Sequence, residues 1–413
     1  MRVLQVSESD NIGGAAIAAT RLNSLLIDNG VESSLVVQRK KSIFSDILGP
    51  VNLFDKLYAK IVPHLIIRYN KWKFGTSSLS STQNKSSVFF SKVIKREDFE
   101  ILHLHWVNNG FVGLDDLSLI KKPIVWSLHD NWLFTAGCHS TQGCMKFLNC
   151  CDSCPKISGL NFQSNLDNQF KEKLNQLQKL KNKIKIVVPS QWMYESVKSS
   201  KILSDYEVEL IPNSINVDLF IPKDKIESKQ QLSLDPQKKY ILFGASDPLN
   251  DENKGFKFIQ QMDRLDAFKG YTLIIFGKKN NIESISLNIP IIFMDSIYDT
   301  DKLVSLYNVA EVLLMPSIHE SFGQVAAEAM SCGVPVLCFN TTGLIDIVDH
   351  KFNGYLAELY NIKDLIRGFN WIIMQGNFGA KTRLKIMNEF SKEVVFEKMF
   401  LLYKSLLKKG IQL

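Results

Sequence analysis

Short apolar runs alternate along this chain with longer stretches whose apolar positions recur at helical spacing. Runs at 2–7, 34–38, 100–106, 123–128 and 184–189 predict strands in the first half. Those at 207–211, 240–244, 271–276, 290–294, 312–315 and 334–338 predict strands in the second. Most are rich in Val, Ile, Leu and Phe without polar alternation, which suits strands covered on both faces of a parallel sheet. Segments 14–29, 165–182, 254–268, 300–309 and 322–332 predict helices between them. Strand and helix in turn predict an α/β fold of the doubly wound kind. At 413 residues two domains are the natural count. The polar, Ser-rich stretch SVKSSKILSDYE, before the strand VELIPN, predicts the join. The expected division is 1–200, 201–390, and a C-terminal helix at 391–413 returning to the first domain.

Composition adds little to that picture. Apolar residues at 45% and charged residues at 22% are ordinary for a globular chain. The net charge of +7 permits anionic partners such as nucleotide phosphates, a lipid pyrophosphate or a membrane surface, and selects none. The first residues, MRVLQVSESD, read as a strand rather than a signal peptide, and no run is long enough to span a bilayer. The expectation is therefore a cytoplasmic protein. Residues 45–75 mix apolar and basic side chains around Tyr69 and Trp72. They read either as a surface lying on the anionic inner leaflet, or as a pair of core-packing helices interrupted by Pro63.

Two junctions carry candidate chemistry. In LQVSESDNIGGAAIAA, Gly13 and Gly14 follow the first strand and open a helix of small residues. Backbone N–H groups at such a helix start suit a pyrophosphate, and a Cβ there would block its approach. The full G-x-G-x-x-G of a dinucleotide site is missing, which argues against an oxidoreductase. The second junction, MPSIHESFGQVAAEAMSCGVPVLCF at 315–339, is more specific. It predicts strand, loop, helix and strand, with Glu320 in the loop, Ser321 at the helix cap, Gly323 in the first turn and Glu328 about two turns on. Two carboxylates so placed could hold separate hydroxyl sets of one elongated ligand, with the amides of Phe322 and Gly323 meeting phosphate between them.

ESFGQVAAEAMSCGVPV resembles the paired-glutamate motif of the retaining glycosyltransferases of family 4, and IPNSINVDLF at 211–220 is similar to that family's linker-strand signature. The HDNWLFTAGCH segment with its cysteines resembles a branch associated with bacterial exopolysaccharide and O-antigen (lipopolysaccharide) assembly. The resemblance implies a GT-B fold, two Rossmann-like domains facing across a cleft. It implies a nucleotide-sugar donor, UDP- or GDP-linked, and a saccharide or lipid-linked acceptor, with no catalytic metal. Glu328 would take the donor ribose, Glu320 the transferred sugar, and Ser321, Phe322 and Gly323 the diphosphate or sugar. Lys254 would neutralise the leaving diphosphate, and His129 would sit beside the reacting carbon. One departure stands out: where the family has an arginine after the strand glycine, this chain has Ala245 after Gly244.

Five of the seven cysteines lie between Cys138 and Cys154. CDSC is a two-residue-spaced pair of the kind that forms a metal knuckle, and Cys138 and Cys144 could supply the other half. His139 could replace one thiolate. The resembling branch runs its spacing through Cys138, Cys144, Cys151 and Cys154 and leaves Cys150 spare. A structural zinc is the expectation, with free or redox thiols and disulfides as the alternatives. Cys332 and Cys338 read as core. Against the glycosyltransferase stand two other readings, a sugar-nucleotide epimerase of the same fold and a non-enzymatic zinc protein binding nucleic acid. The epimerase would not be expected to carry this glutamate motif with IPNSIN. No aromatic-basic RNA motif accompanies the cysteines, so nucleic acid is not expected as a partner.

Overall fold

The computed structural model describes residues 1–278 and 285–410. Its first sheet comprises β1 (Arg2–Ser9), β2 (Glu32–Arg39), β3 (Ile47–Leu48), β4 (Ile101–Leu104), β5 (Ile124–Ser127), β6 (Ile184–Val188) and β7 (Val208–Leu210). The strands lie in the order β3-β2-β1-β4-β5-β6-β7, every pair parallel. The second sheet comprises β8 (Lys239–Gly244), β9 (Tyr271–Phe276), β10 (Ile291–Met294), β11 (Ala310–Met315), β12 (Val336–Phe339) and β13 (Gly354–Ala357). Its order is β10-β9-β8-β11-β12-β13, again parallel throughout. Both are Rossmann-like sheets, as expected. Each reverses its winding once, between β1 and β4 and between β8 and β11, and a crevice opens at the carboxyl ends of strands that flank such a point.

The chain divides into two compact units, Met1–Pro212 with the chain from Phe396 onward, and Asn213–Val395. The boundary falls beyond residue 200 because β7 pairs with β6 and so completes the first sheet. The end of the helix Lys392–Gly410 packs into the first unit through Tyr403, whose hydroxyl lies 2.6 Å from His103 Nδ1. Each unit has its own core. Leu4, Val6, Leu102, Leu104, Ile124 and Trp126 lie in one, and Leu242, Ile274, Leu313, Met315, Val336 and Cys338 in another.

One local reading is corrected, and two strands went unread. Residues 53–74 form one continuous helix, Leu53–Phe74, and not a pair broken at Pro63. Pro63 removes one ladder bond, but it lies on the buried face and the other turns carry the helix to the left-handed cap at Gly75. β3 and β13 were not legible: one is two residues long, and the other, GYLA, begins on a glycine.

Candidate functional site

The carboxyl ends of β8 and β11 position the first group of side chains. β8 ends at Gly244, and the chain reaches Lys254 at the end of a 3-10 turn, Glu252–Lys254. Gly255 follows at φ 76°, and a Cβ there would lie 2.0 Å from the Pro316 carbonyl oxygen. Only glycine allows this close approach of the two loops. β11 ends at Met315, and the next loop carries Glu320. Lys254 Nζ donates to Glu320 Oε1 at 2.7 Å. Burial pulls the Lys254 ammonium down, but the Glu320 carboxylate beside it outweighs that and leaves its pKa above the ordinary lysine value.

The helix after Glu320 begins later than its sequence suggests. It runs Gln324–Ser331 with Gly323, not Ser321, as its N-cap. Gly323 sits at φ 108°, a conformation that favours glycine, and a Cβ on it would come 2.7 Å from a Leu344 methyl. Ser321 therefore lies in the loop before the cap. Glu328 is on the helix and buried at 5% exposure, where Tyr307 OH donates to Oε2 at 2.7 Å and Gln324 Nε2 donates to Oε1 at 3.3 Å. A pair of solvated glutamates is thus ruled out: one is salt-bridged to lysine and the other is held in the interior. Phe322 is buried in the core of this unit.

In the first unit, a cavity of about 270 Å³ opens at the switch point beside β1, lined by Gly13, Gly14, Glu8, Arg39, Trp106, His129 and Asp130 among others. Gly13, at φ 83°, caps the helix Gly14–Asp28, and nothing lies within 4 Å of where a Cβ of either glycine would be. The floor is therefore bare backbone at a helix N-terminus. His129 follows β5, and its Nε2 lies 3.0 Å from His105 Nδ1. Burial depresses His129 to about 4, against a smaller lift from Asp130, so the ring is neutral near pH 7. Asp130 accepts from Trp106 Nε1 at 2.7 Å and lies 2.6 Å from His139 Nδ1. His139 Nε2 in turn meets Ser80 Oγ at 2.6 Å.

Sequence reasoning assigned no role to four residues of this cavity, nor to Tyr307 in the second unit. Glu8 and Arg39 are joined by an ion pair at 2.5 Å across neighbouring strands, and Trp106 and Asp130 share the wall. A carboxylate inside the apolar first strand was the available signal for Glu8. Tyr307, which grips Glu328, sits in a helix where nothing local distinguishes it from a core tyrosine.

Cys138, Cys144, Cys151 and Cys154 all line one small cavity of about 20 Å³. The Cys138 and Cys154 thiols influence each other: the Cys138 pKa is raised and that of Cys154 is lowered to about 6. Among the described residues, no three His, Cys, Asp or Glu side chains stand as a ready set of metal ligands, and all seven cysteines are unbridged. Beside them Lys173 is fully buried; it donates to the carbonyls of Trp132 and Thr135 at 2.7 and 2.9 Å and lies 3.9 Å from the Trp132 ring centroid. It clamps the loop that follows His129.

Comparison with known proteins places this geometry. Residues 224–390 match the family model "Glycosyl transferases group 1". The chain is 24% identical over 315 residues to an uncharacterized glycosyltransferase, MJ1607, of Methanocaldococcus jannaschii, covering 72% of this chain and 71% of that one. It is 26% identical over 173 residues to the capsular polysaccharide biosynthesis glycosyltransferase CapM of Staphylococcus aureus, covering 38% of this chain and 45% of the relative. Among solved structures, sucrose-phosphate synthase from Thermosynechococcus elongatus superposes with a TM-score of 0.69 at 17% identity, over 99% of both chains. HepE of Anabaena, in complex with UDP-glucose, gives 0.65 at 14% identity over 98% and 100%. The fold is thus of the GT-B kind. The stretch matched by that family model holds Lys254, Glu320 and Glu328.

Proposed function

We propose that this protein is a retaining glycosyltransferase. It moves a sugar from a nucleotide-linked donor to a saccharide or lipid-linked acceptor in surface polysaccharide assembly. The observation that carries the reading is the Lys254–Glu320 pair at the switch point of the second sheet, with the buried Glu328 on the helix that follows. In this reading Glu328 accepts from the donor ribose, Glu320 from sugar hydroxyls, and the loop of Ser321, Phe322 and Gly323 approaches the diphosphate. Negative charge develops on the leaving diphosphate, and a preorganised ammonium and oriented amides meet it without reorganisation. Lys254 supplies that ammonium, so the proposal calls on no catalytic metal. Within the first unit, the helix start at Gly13 and Gly14 suits a phosphate and His129 suits a sugar hydroxyl.

UDP is the first nucleotide to test, since HepE was solved with UDP-glucose. A thermal-shift screen of nucleoside diphosphates and their sugars reads donor class, because a ligand that binds only the folded state raises the melting temperature. The anomeric configuration of the transferred sugar then tests retention. Transfer to an acceptor also separates this reading from an epimerase, which would convert the free donor. Salt-dependent binding to nucleic acid would be needed to revive a nucleic-acid protein.

Contact with an anionic membrane belongs to the same proposal. The helix Leu53–Phe74 buries Asp55, Ala59, Pro63, Asn70 and Phe74 along one face. On the other it exposes Leu53, Phe54, Leu57, Ile61, Leu65 and Trp72, with Leu53 83% and Trp72 75% accessible. Lys56, Lys60, Arg68 and Lys71 are exposed around that stripe, while Asp55, the helix's single acid, is buried. An apolar stripe flanked by cations suits a bilayer surface of negative charge. No helix among the described residues is long and apolar enough to cross a membrane. A structural zinc held by Cys138, Cys144, Cys151 and Cys154 is the last part of the proposal, supported by the one cavity those four share. The thiols would draw together around the ion, outside the transfer chemistry.

A further inference from the structure

A chain of hydrogen bonds runs from Asp46, just before β3, to His129, and its direction is fixed from one end. Asp46 is a carboxylate and can only accept. Asn23 Nδ2 meets its Oδ2 at 2.6 Å, so the Asn23 amide is oriented with Nδ2 giving and Oδ1 receiving. Asn23 Oδ1 accepts from Gln5 Nε2 at 3.2 Å and from Ser33 Oγ at 2.8 Å. Gln5 Nε2 also donates to Ser33 Oγ at 3.1 Å, so Gln5 must turn its Oε1 the other way, toward His105 Nε2 at 2.9 Å. That contact requires a proton on His105 Nε2.

His105 is 3% exposed, its ring stacked on His103 with centroids 4.4 Å apart and its other neighbour being His129, and burial among these rings favours its neutral form. A neutral ring with its proton on Nε2 has a bare Nδ1. His129 Nε2 faces that atom at 3.0 Å and must donate to it. His129 is left with its second nitrogen, Nδ1, as an acceptor in a ring that lines the cavity with Gly13, Gly14 and Asp130. The same burial that lowers the His105 and His129 pKa values supports the neutral state of both.

We propose that Asp46, Asn23, Gln5 and His105 act as a positioning relay that locks His129 in the Nε2–H tautomer. His129 then receives a hydrogen bond at Nδ1 from a ligand hydroxyl and cannot give one to a phosphate. The hydroxyl as ligand rests on the sugar-transfer reading; the tautomer does not. Gln5, Asn23 and His105 are positioning residues, remote from any ligand in this cavity.

The test is nitrogen NMR of full-length protein labelled at histidine, without ligand, with His129→Asn used to assign the signal. Wild type should show His129 neutral, protonated at Nε2 and bare at Nδ1. A His129 protonated at Nδ1, or doubly protonated at pH 7, overturns the relay whatever the enzyme transfers. Gln5→Met removes the acceptor that orients His105, and the His129 signal should then shift toward a mixture of tautomers. An unchanged signal in a folded Gln5→Met protein also overturns it. Should that variant fail to fold, the wild-type spectrum alone still decides.

Discussion

Lys254 and Glu320 lie 66 residues apart in the chain, yet their side chains meet at 2.7 Å. They meet because β8 and β11 are neighbours at the point where the second sheet reverses its winding. Each loop leaves the carboxyl end of its strand on the same side of the sheet.

Lys254→Ala should reduce turnover about 10²- to 10³-fold, the usual effect of deleting one preorganised group that meets developing charge. Glu320→Gln, which keeps the shape and removes the charge, should change the KM for the sugar donor as well as turnover. Steady-state kinetics with the donor found by thermal shift measures both. Wild-type turnover in Lys254→Ala would remove it from the chemistry.

Glu328 is held by Tyr307, so Tyr307→Phe should weaken nucleotide binding without touching the ligand directly. A hydrogen bond to a buried charged group is worth about 1.5–3 kcal/mol, and a misplaced carboxylate loses part of that in each of its ligand contacts. Titration calorimetry with the nucleoside diphosphate should show binding weaker by about tenfold. Equal affinity would mean that Glu328 needs no such partner, or does not bind nucleotide.

The buried histidines make a pH prediction with a definite sign. Burial depresses His103 to about 3 and His129 to about 4, and lowers His105 well below its ordinary value. Unfolded, each titrates near the ordinary value of about 6.5. Between those limits the unfolded chain takes up protons that the folded chain refuses, so stability falls as pH falls from about 6.5 toward 4. Urea midpoints at stepped pH measure it. A midpoint that holds constant across that window would show the rings already charged in the fold.

If Cys138, Cys144, Cys151 and Cys154 hold zinc, protein purified without added metal should contain about one equivalent. Cys151→Ser with Cys154→Ser should abolish it, whereas Cys150→Ser should not. Metal-free protein of full stability would dismiss the site.

Vesicles test the helix Leu53–Phe74. Cosedimentation with anionic vesicles should exceed that with zwitterionic ones and weaken with salt. Replacing Phe54 and Leu57 by Ser should lower the partition coefficient about tenfold or more, given about 1.5–3 kcal/mol for burying each such side chain. Self-association through the helix in place of lipid binding would point to a second copy as its cover.

Much of this molecule could be read before folding. Apolar runs placed most of the strands because a strand covered on both faces must be apolar throughout, and ESFGQVAAEAM announced its loop and helix by glycine and carboxylate spacing. Local pattern could not show β3, too short to have one, nor that β7 completes the first sheet. It misplaced the cap at Ser321, because the chain enters the helix through a positive φ at Gly323, 108°, which residue spacing does not reveal.

The same division runs through the site. Residue types were set by the sequence alone: Glu320 and Glu328 were nameable as candidates from their neighbours, and Lys254 and His129 through the family resemblance. Their partners were decided only in three dimensions. Tyr307 on Glu328, Arg39 on Glu8, and Gln5 and His105 behind His129 are ordinary residues where they stand in the chain. Hydrogen bonds act over about 3 Å, and only the sheet's strand order brings such distant groups within that reach.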